Sequence, residues 1–302
     1  MKLLTFMQDG SYRLGVKTEE GVIDVQAAAA HLGVNDSALP TTIMEAIANG
    51  EQAAGSLQNL VDKVKAESGN RSYLLDELKL NLGPCVTHPN KIICVGLNYR
   101  KHAEETNSPI PQYPILFNKF NNTLTGHGHT VTLPKVSTKV DYEAELVIVI
   151  GKKTKDVSKD QALSHVFGYC NVNDLSARDL QLRTPQWLLG KTCDGFSPLG
   201  PYLVTSDEVG NPNDLKIQCF VNGEERQSSN TSDMIFHCDE IVSYISQYMT
   251  LEPGDLILTG TPEGVVLGYP EDKQVYLQDG DIVTIEIEKL GKLTNRMVQE
   301  RH

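Results

Sequence analysis

The spacing of apolar and polar positions changes character twice along the chain. From Met1 to Asp24, short apolar runs are interrupted by polar residues around Asp9-Gly10. This predicts two or three short strands with a hairpin at that dipeptide. Residues 25–67 switch to a helical period, in which Ile43, Ala46 and Ile47, and then Leu57, Leu60, Val61 and Val64, fall on common faces. No polar constellation that looks chemical occurs here, so residues 1–85 are expected to form a small N-terminal α+β domain for packing or oligomerisation. The segment 82–90, with Pro84 and Pro89 and no period, reads as a linker. Beyond it β-rich runs dominate, at 91–96, 145–150, 215–222, 255–260 and 282–290. Turns at Asn222-Gly223, Gly254-Asp255 and Gly280-Asp281 punctuate them. Helical patterns are confined to 100–106, 159–165 and 237–249. The expected architecture is α+β and mainly β, with one β-rich domain over 91–302 and no internal repeat.

The stretch Asp141-Tyr-Glu143-Ala-Glu145 and onward to Ile150 carries the first chemical signal. Alternation along a strand places Asp141, Glu143, Glu145, Val147 and Val149 on one face. The face begins acidic and ends in valine, so it enters a core, where adjacent like charges repel and unpaired burial is costly. A bound cation relieves both; a solvated acidic face is the plainer reading. A second acidic position, Asp174, follows the run 166–169 at an expected strand end, with Arg178 and Gln181 four and seven residues on. In a helical turn these three share a face, although Asp174 as a helix cap paired with Arg178 fits the same spacing. Carboxylates without His or Cys select a hard ion such as Mg²⁺ or Mn²⁺. Three of them over-neutralise a divalent ion by one charge, and Lys191 is a candidate to offset the excess and to meet a substrate.

Composition narrows the class. With 302 residues, 40% hydrophobic and 22% charged, the chain suits a water-soluble globular protein. A formal net charge of −12 argues against a nucleic-acid binder, but not against a small anionic substrate in a locally positive cleft. No apolar run reaches the roughly 18 residues of a membrane span. The start has no secretory pattern and the six cysteines are scattered, so a cytoplasmic protein with reduced thiols is expected.

In order, the chain carries Gly96-Leu-Asn-Tyr-Arg-Lys-His102-Ala-Glu-Glu105, Asp141-Tyr-Glu-Ala-Glu145-Leu and Asn173-Asp174-Leu-Ser-Ala-Arg178-Asp-Leu-Gln181. Trp187-Leu-Leu-Gly-Lys191, Asn230-Thr-Ser-Asp-Met234 and Gly260-Thr261-Pro-Glu-Gly-Val265 follow. Over residues 91–298 this series resembles the fumarylacetoacetate hydrolase (FAH) family. The resemblance implies a β-sandwich roll catalytic domain, found mostly in homodimers. It also implies Glu143, Glu145 and Asp174 as metal ligands, with Arg178, Gln181, Lys191 and Thr261 lining the substrate site. His102 and Glu105 match a catalytic pair on a short helix that closes as a lid, and Lys119 matches a recurrent lysine, taken as a substrate contact. Gly126-His-Gly-His129 departs from the family, and the proline-rich 109–114 segment is expected to govern lid order and substrate fit.

These residues suit a small anionic keto acid. A metal can act as Lewis acid toward a 2-keto carboxylate, Arg178 and Lys191 can hold its carboxylate and developing charge, and Glu105 can orient His102 to activate water. The leading expectation is hydrolysis of a carbon–carbon bond in an acylpyruvate or similar 1,3-dioxo acid. That cleavage releases an enolate that the metal can stabilise, and decarboxylation of oxaloacetate and isomerisation of an unsaturated keto acid pass through the same kind of enolate. A catalytically silent binding protein would lack a ligand or dyad residue, and every matched position is filled.

Overall fold

Two sheets and one long helical segment, Ile43–Ala66 with a kink at Gly50, organise the chain in the computed structural model, which describes residues 1–300. The larger sheet has eleven strands. Its path runs Leu74–Leu75, Gly21–Asp24, Ser11–Thr18, Lys2–Gln8, Ser197–Thr205, Val166–Asn173, Ala144–Ile150, Leu256–Leu258, Ile92–Gly96 and Ile115–Lys119, and Leu124–Thr125 pairs off it. The smaller, five-stranded sheet runs Glu224–Asn230, Lys216–Val221, Ile282–Ile287, Gly291–Gln299 and Thr130–Leu133. Lys2–Gln8 hydrogen-bonds to Ser197–Thr205, with Leu3 opposite Leu203. The first strands of the chain therefore extend the same sheet that carries the acidic strand.

Alternation along Ala144–Ile150 is used on both faces. Leu146, Ile148 and Ile150 enter the core that also holds Ile217, Ile285 and Ile241. Val147 and Val149 enter a second core with Ile43, Ile47, Leu57 and Leu60. Helix Ile43–Ala66 supplies those last residues. It starts at a capping box, in which Thr42 Oγ1 accepts from Glu45 N while Glu45 reaches back to the Thr42 amide. Burying each such aliphatic side chain is worth about 1.5–3 kcal/mol, so the helix is held by its apolar stripe as much as by its cap.

The hairpin at Asp9-Gly10 and the short helices Arg100–Glu105 and Cys238–Tyr248 form where the pattern predicts them. Three local expectations are corrected. The acidic strand is not continuous: Val140–Asp141 pairs with Ser176–Ala177, and Ala144–Ile150 begins only after two intervening residues, Tyr142 and Glu143. Asp174, Arg178 and Gln181 do not share one helix, because that two-residue strand intervenes and the helical turn begins at Arg178. The 82–90 segment is irregular as expected, yet Cys85 and Val86 are fully buried and Cys85 N donates to Leu199 O.

Candidate active site

The break after Asp141 is what brings the carboxylates together. Glu143 N donates to Asn173 Oδ1, and Asp174 N donates to Glu143 O, 2.9 Å. These bonds continue the pairing of Ala144 with Asn173 and set Glu143 beside Asp174 across two strands. Glu145 projects from the next residue but one. Glu143, Glu145 and Asp174 are 4%, 2% and 0% exposed, and one carboxylate oxygen from each lies within 4.8 Å of the others. Three carboxylates this close and this dry are unfavourable without cations.

Two lysines supply part of the counter-charge. Lys191 Nζ donates to Glu143 Oε2 at 2.7 Å and to Asp174 Oδ2 at 2.8 Å. It ends the helical turn Leu188–Lys191, which packs against Arg178–Gln181 through Gly190. A Cβ on Gly190 would sit 2.5 Å from Gln181 N and 2.6 Å from Ala177 O, so only glycine permits this approach. Lys119, expected to meet substrate, instead donates to Asp174 Oδ1, Leu175 O and Phe196 O. An ammonium has three donors, and all three are spent behind Asp174. The structure thus gives Lys119 the geometry of a holder of that carboxylate.

Arg178 lies in the same network. Its Nε donates to Asp141 Oδ2 at 2.8 Å, its Nη1 to Gln181 Oε1 at 2.9 Å, and its Nη2 lies 2.7 Å from Glu143 Oε1. Burial alone would push the Glu143 carboxyl up, but the Lys191 and Arg178 charges overcome it and pull the pKa to about 2. Glu145 differs: burial first, then the Asp174 and Glu143 charges, push it well above the ordinary carboxylate range. Its Oε2 accepts from Gly260 N at 2.8 Å. Asp141, Glu143, Glu145 and Asp174 face Lys119, Arg178 and Lys191. One negative charge is left over, and it is felt most at Glu145. The residues therefore fit a hard divalent cation: an all-oxygen donor set with an unbalanced charge at its centre.

Thr261 follows Gly260 and is 3% exposed. Gln227, absent from any expectation, holds it there. Its Nε2 donates to Thr261 Oγ1 and Pro262 O at 2.9 and 2.8 Å, while its Oε1 accepts from Ala144 N at 2.9 Å. With its lone pair engaged, the Thr261 hydroxyl keeps its proton free to donate to a ligand oxygen. Asp141 was legible only as part of the acidic face. Gln227 lies in the wholly polar run Glu224–Asn230, where nothing in the pattern distinguishes the one residue that is 1% exposed.

His102 and Glu105 form the expected pair. His102 Nδ1 is 2.8 Å from Glu105 Oε1, and Glu105 Oε2 accepts from Gly264 N at 2.9 Å. An ionised carboxylate only accepts, so the Nδ1–H donates to it and the lone pair of the neutral ring is left on Nε2. His102, Glu143, Glu145, Arg178, Gln181, Lys191 and Thr261 all line one cavity of about 110 Å³. Trp187 and Phe117 wall it, edge to face at 5.4 Å, and Lys191 Nζ stands 5.0 Å from the Phe117 ring centre. Larger hollows occur, including one of about 660 Å³ beside helix Ile43–Ala66. It lacks such a cluster, and the carboxylate triad is the one group of its kind among the described residues. His127 and His129 are occupied locally, by Thr294 N and Asn81 Oδ1. No helix is long and apolar enough to cross a membrane among the described residues.

Residues 91–298 match the family model described as fumarylacetoacetate (FAA) hydrolase C-terminal. The chain is 40% identical over 304 residues to a Xenopus laevis protein named oxaloacetate tautomerase fahd2, mitochondrial, covering 99% of this chain and 90% of that one. Among solved structures it is similar to fumarylacetoacetate hydrolase from psychrophilic Exiguobacterium antarcticum, at 34% identity and a TM-score of 0.80 over 99% of this chain and 100% of that one. It is also similar to maleylpyruvate hydrolase from Sphingobium sp. SYK-6 in complex with manganese(II) and pyruvate, at 30% identity and a TM-score of 0.78 over the full length of both. With its ordered motifs, its fold and its buried carboxylates, the chain belongs to the fumarylacetoacetate hydrolase family.

Proposed function

We propose that this enzyme moves a proton at the carbon beside the 2-oxo group of a small oxo dicarboxylic acid, and that its reaction is keto–enol conversion of oxaloacetate. The observation that carries this reading is the shared cavity: the carboxylate triad, the Arg178 guanidinium and the His102–Glu105 pair all border it. The relative named for oxaloacetate tautomerisation spans nearly the whole chain, which favours this substrate. Glu143, Glu145 and Asp174 would hold Mg²⁺ or Mn²⁺, which when bound supplies Lewis acidity toward the oxo and carboxylate oxygens.

Arg178 and Gln181 then orient a carboxylate of the substrate, and Thr261 Oγ1 donates to it. His102 Nε2 takes a proton from C3; the C3–H electron pair becomes the C2–C3 double bond, and the C2 oxygen receives the charge. The proton returns to that oxygen, giving the enol. Glu105 holds the ring in this tautomer and stabilises its protonated form. Lys191 stays charged, since Asp174 and Glu143 outweigh the burial that would lower its pKa, and it supports the negative charge that develops on oxygen.

Hydrolysis of a 1,3-dioxo acid is the second reading. It is favoured by the same His102–Glu105 geometry, which suits activation of a water, and by the likeness to maleylpyruvate hydrolase. Decarboxylation of oxaloacetate would need no attacking water. Wild type and His102→Ala can be assayed for oxaloacetate enol–keto conversion, oxaloacetate loss and acylpyruvate cleavage. The expected outcome is a kcat/KM for tautomerisation well above the other two and a fall of about 100-fold or more in His102→Ala. Cleavage as the dominant activity, lost alone in the variant, would replace this reading with the hydrolytic one.

A further inference from the structure

We propose that Gly268 and Asp141 are positioning residues for the His102–Glu105 pair, and that the 264–268 turn is the seat on which that pair docks. The proposal rests on the reading of His102 as the acid–base group, but its geometry stands apart from the choice of substrate. The Glu105 carboxylate is divided between two partners, Oε1 on His102 Nδ1 at 2.8 Å and Oε2 on Gly264 N at 2.9 Å. It therefore fixes the imidazole relative to the turn, and not only relative to its own helix.

The far side of the turn closes against the same carboxylate. A Cβ on Gly268 would lie 2.4 Å from both Cδ and Oε2 of Glu105 and 2.8 Å from Cγ. Gly268 is not among the residues of positive φ, so its backbone would accept any side chain. The need for glycine here is spatial: a methyl group would drive Glu105 off both of its partners.

The seat is itself tied to the substrate side of the cavity. Asp141 Oδ1 accepts from Val266 N at 2.9 Å, and Oδ2 accepts from Leu267 N at 3.1 Å and from Arg178 Nε at 2.8 Å. Tyr142 OH donates to Gly264 O at 3.0 Å. One buried carboxylate thus serves three N–H groups, two in the seat and one on the guanidinium that also touches Glu143. An asparagine there would offer one acceptor oxygen and would turn an NH₂ toward a donor.

The test uses full-length protein with ¹⁵N-labelled histidine and bound Mg²⁺. Wild type is expected to show a downfield, slowly exchanging Nδ1 proton that disappears in His102→Ala. Gly268→Ala is expected to lose this signal and to lower kcat about 100-fold, with Mg²⁺ affinity by calorimetry unchanged. Asp141→Asn is expected to weaken the signal and to lower kcat as well. A turn that mattered only for folding would not move the imidazole signature while metal binding stayed intact. Retention of the signal and of kcat in Gly268→Ala would overturn the seat, and the same result in Asp141→Asn would remove Asp141 from it. If Gly268→Ala fails to fold, amide exchange decides: Gly264 N–H should exchange faster in Glu105→Ala than in wild type, and an unchanged rate overturns the proposal. A signal that depends on Gly268 in a protein inactive on oxaloacetate would leave the seat standing and refute the substrate reading alone.

Discussion

Glu145→Gln is expected to abolish measurable divalent-metal binding and, at the same time, to raise the melting temperature of the metal-free protein. The two effects have one cause. Glu145 is 2% exposed, and burial together with the Asp174 and Glu143 charges raises its pKa well above the ordinary value. A carboxyl whose pKa is higher in the folded state than in the unfolded one makes folding less favourable as pH rises from the ordinary value to the raised one. Glutamine has the shape of the protonated form and removes that penalty, while the Gly260 N–H keeps an oxygen acceptor. It also removes one of three anionic ligands, and loss of a supporting partner of a ligand already costs about 10–100-fold in affinity, so loss of the ligand should exceed this. Calorimetric titration with Mn²⁺ and thermal unfolding with and without the ion measure both effects. A variant that binds Mn²⁺ as wild type does would exclude Glu145 as a ligand.

Lys191→Met should act in the opposite direction on the metal-free protein. The ammonium is 2% exposed and bonds to both Glu143 and Asp174, so deleting it leaves buried carboxylates under-compensated. Removing one partner of such a network costs about 3–5 kcal/mol, a large share of the total stability of an ordinary domain. A divalent ion placed among the same carboxylates restores the missing positive charge. Added Mn²⁺ should therefore raise the melting temperature of Lys191→Met more than that of wild type, although activity stays low because the charge facing the substrate is gone. Denaturant unfolding without metal gives the first number, and the two Mn²⁺-induced shifts give the comparison. A loss under about 1 kcal/mol, the ordinary scale for surface pairs, would show that Lys191 is not the neutralising group.

The buried acidic face at Glu143 and Glu145 was legible because strand alternation is a strict rule: Glu145 shares a face with Val147 and Val149, and those valines pack into a core. The short helix with His102 and Glu105 was legible for a similar reason, since i and i+3 meet on a helix. What escaped depends on where the backbone bends and how far side chains reach. The break at Tyr142 and Glu143 sends Asp141 toward Val266 and Leu267, partners 125 and 126 residues away in sequence. The helical reading of Asp174 to Gln181 failed because a two-residue strand, Ser176–Ala177, pairs with Val140–Asp141 and delays the helix. Lys119 was expected at the substrate, but a long flexible stem carries no directional signal, and the fold turns it onto Asp174, Leu175 and Phe196. The pairing of Lys2–Gln8 with Ser197–Thr205 was invisible for the same reason as all long-range register: no local pattern encodes the partner.

The proposed function requires that these buried carboxylates hold a divalent ion on which proton movement at a 2-oxo acid depends. The direct measurement is the rate of oxaloacetate enol–keto conversion, followed by enol absorbance, on one enzyme preparation in three states: as purified, after exhaustive chelation, and after return of Mn²⁺ with the bound ion counted. The expected result is one ion per chain, activity lost on chelation, and activity restored in proportion to the ion bound. Full activity in chelated enzyme carrying no ion would contradict the account.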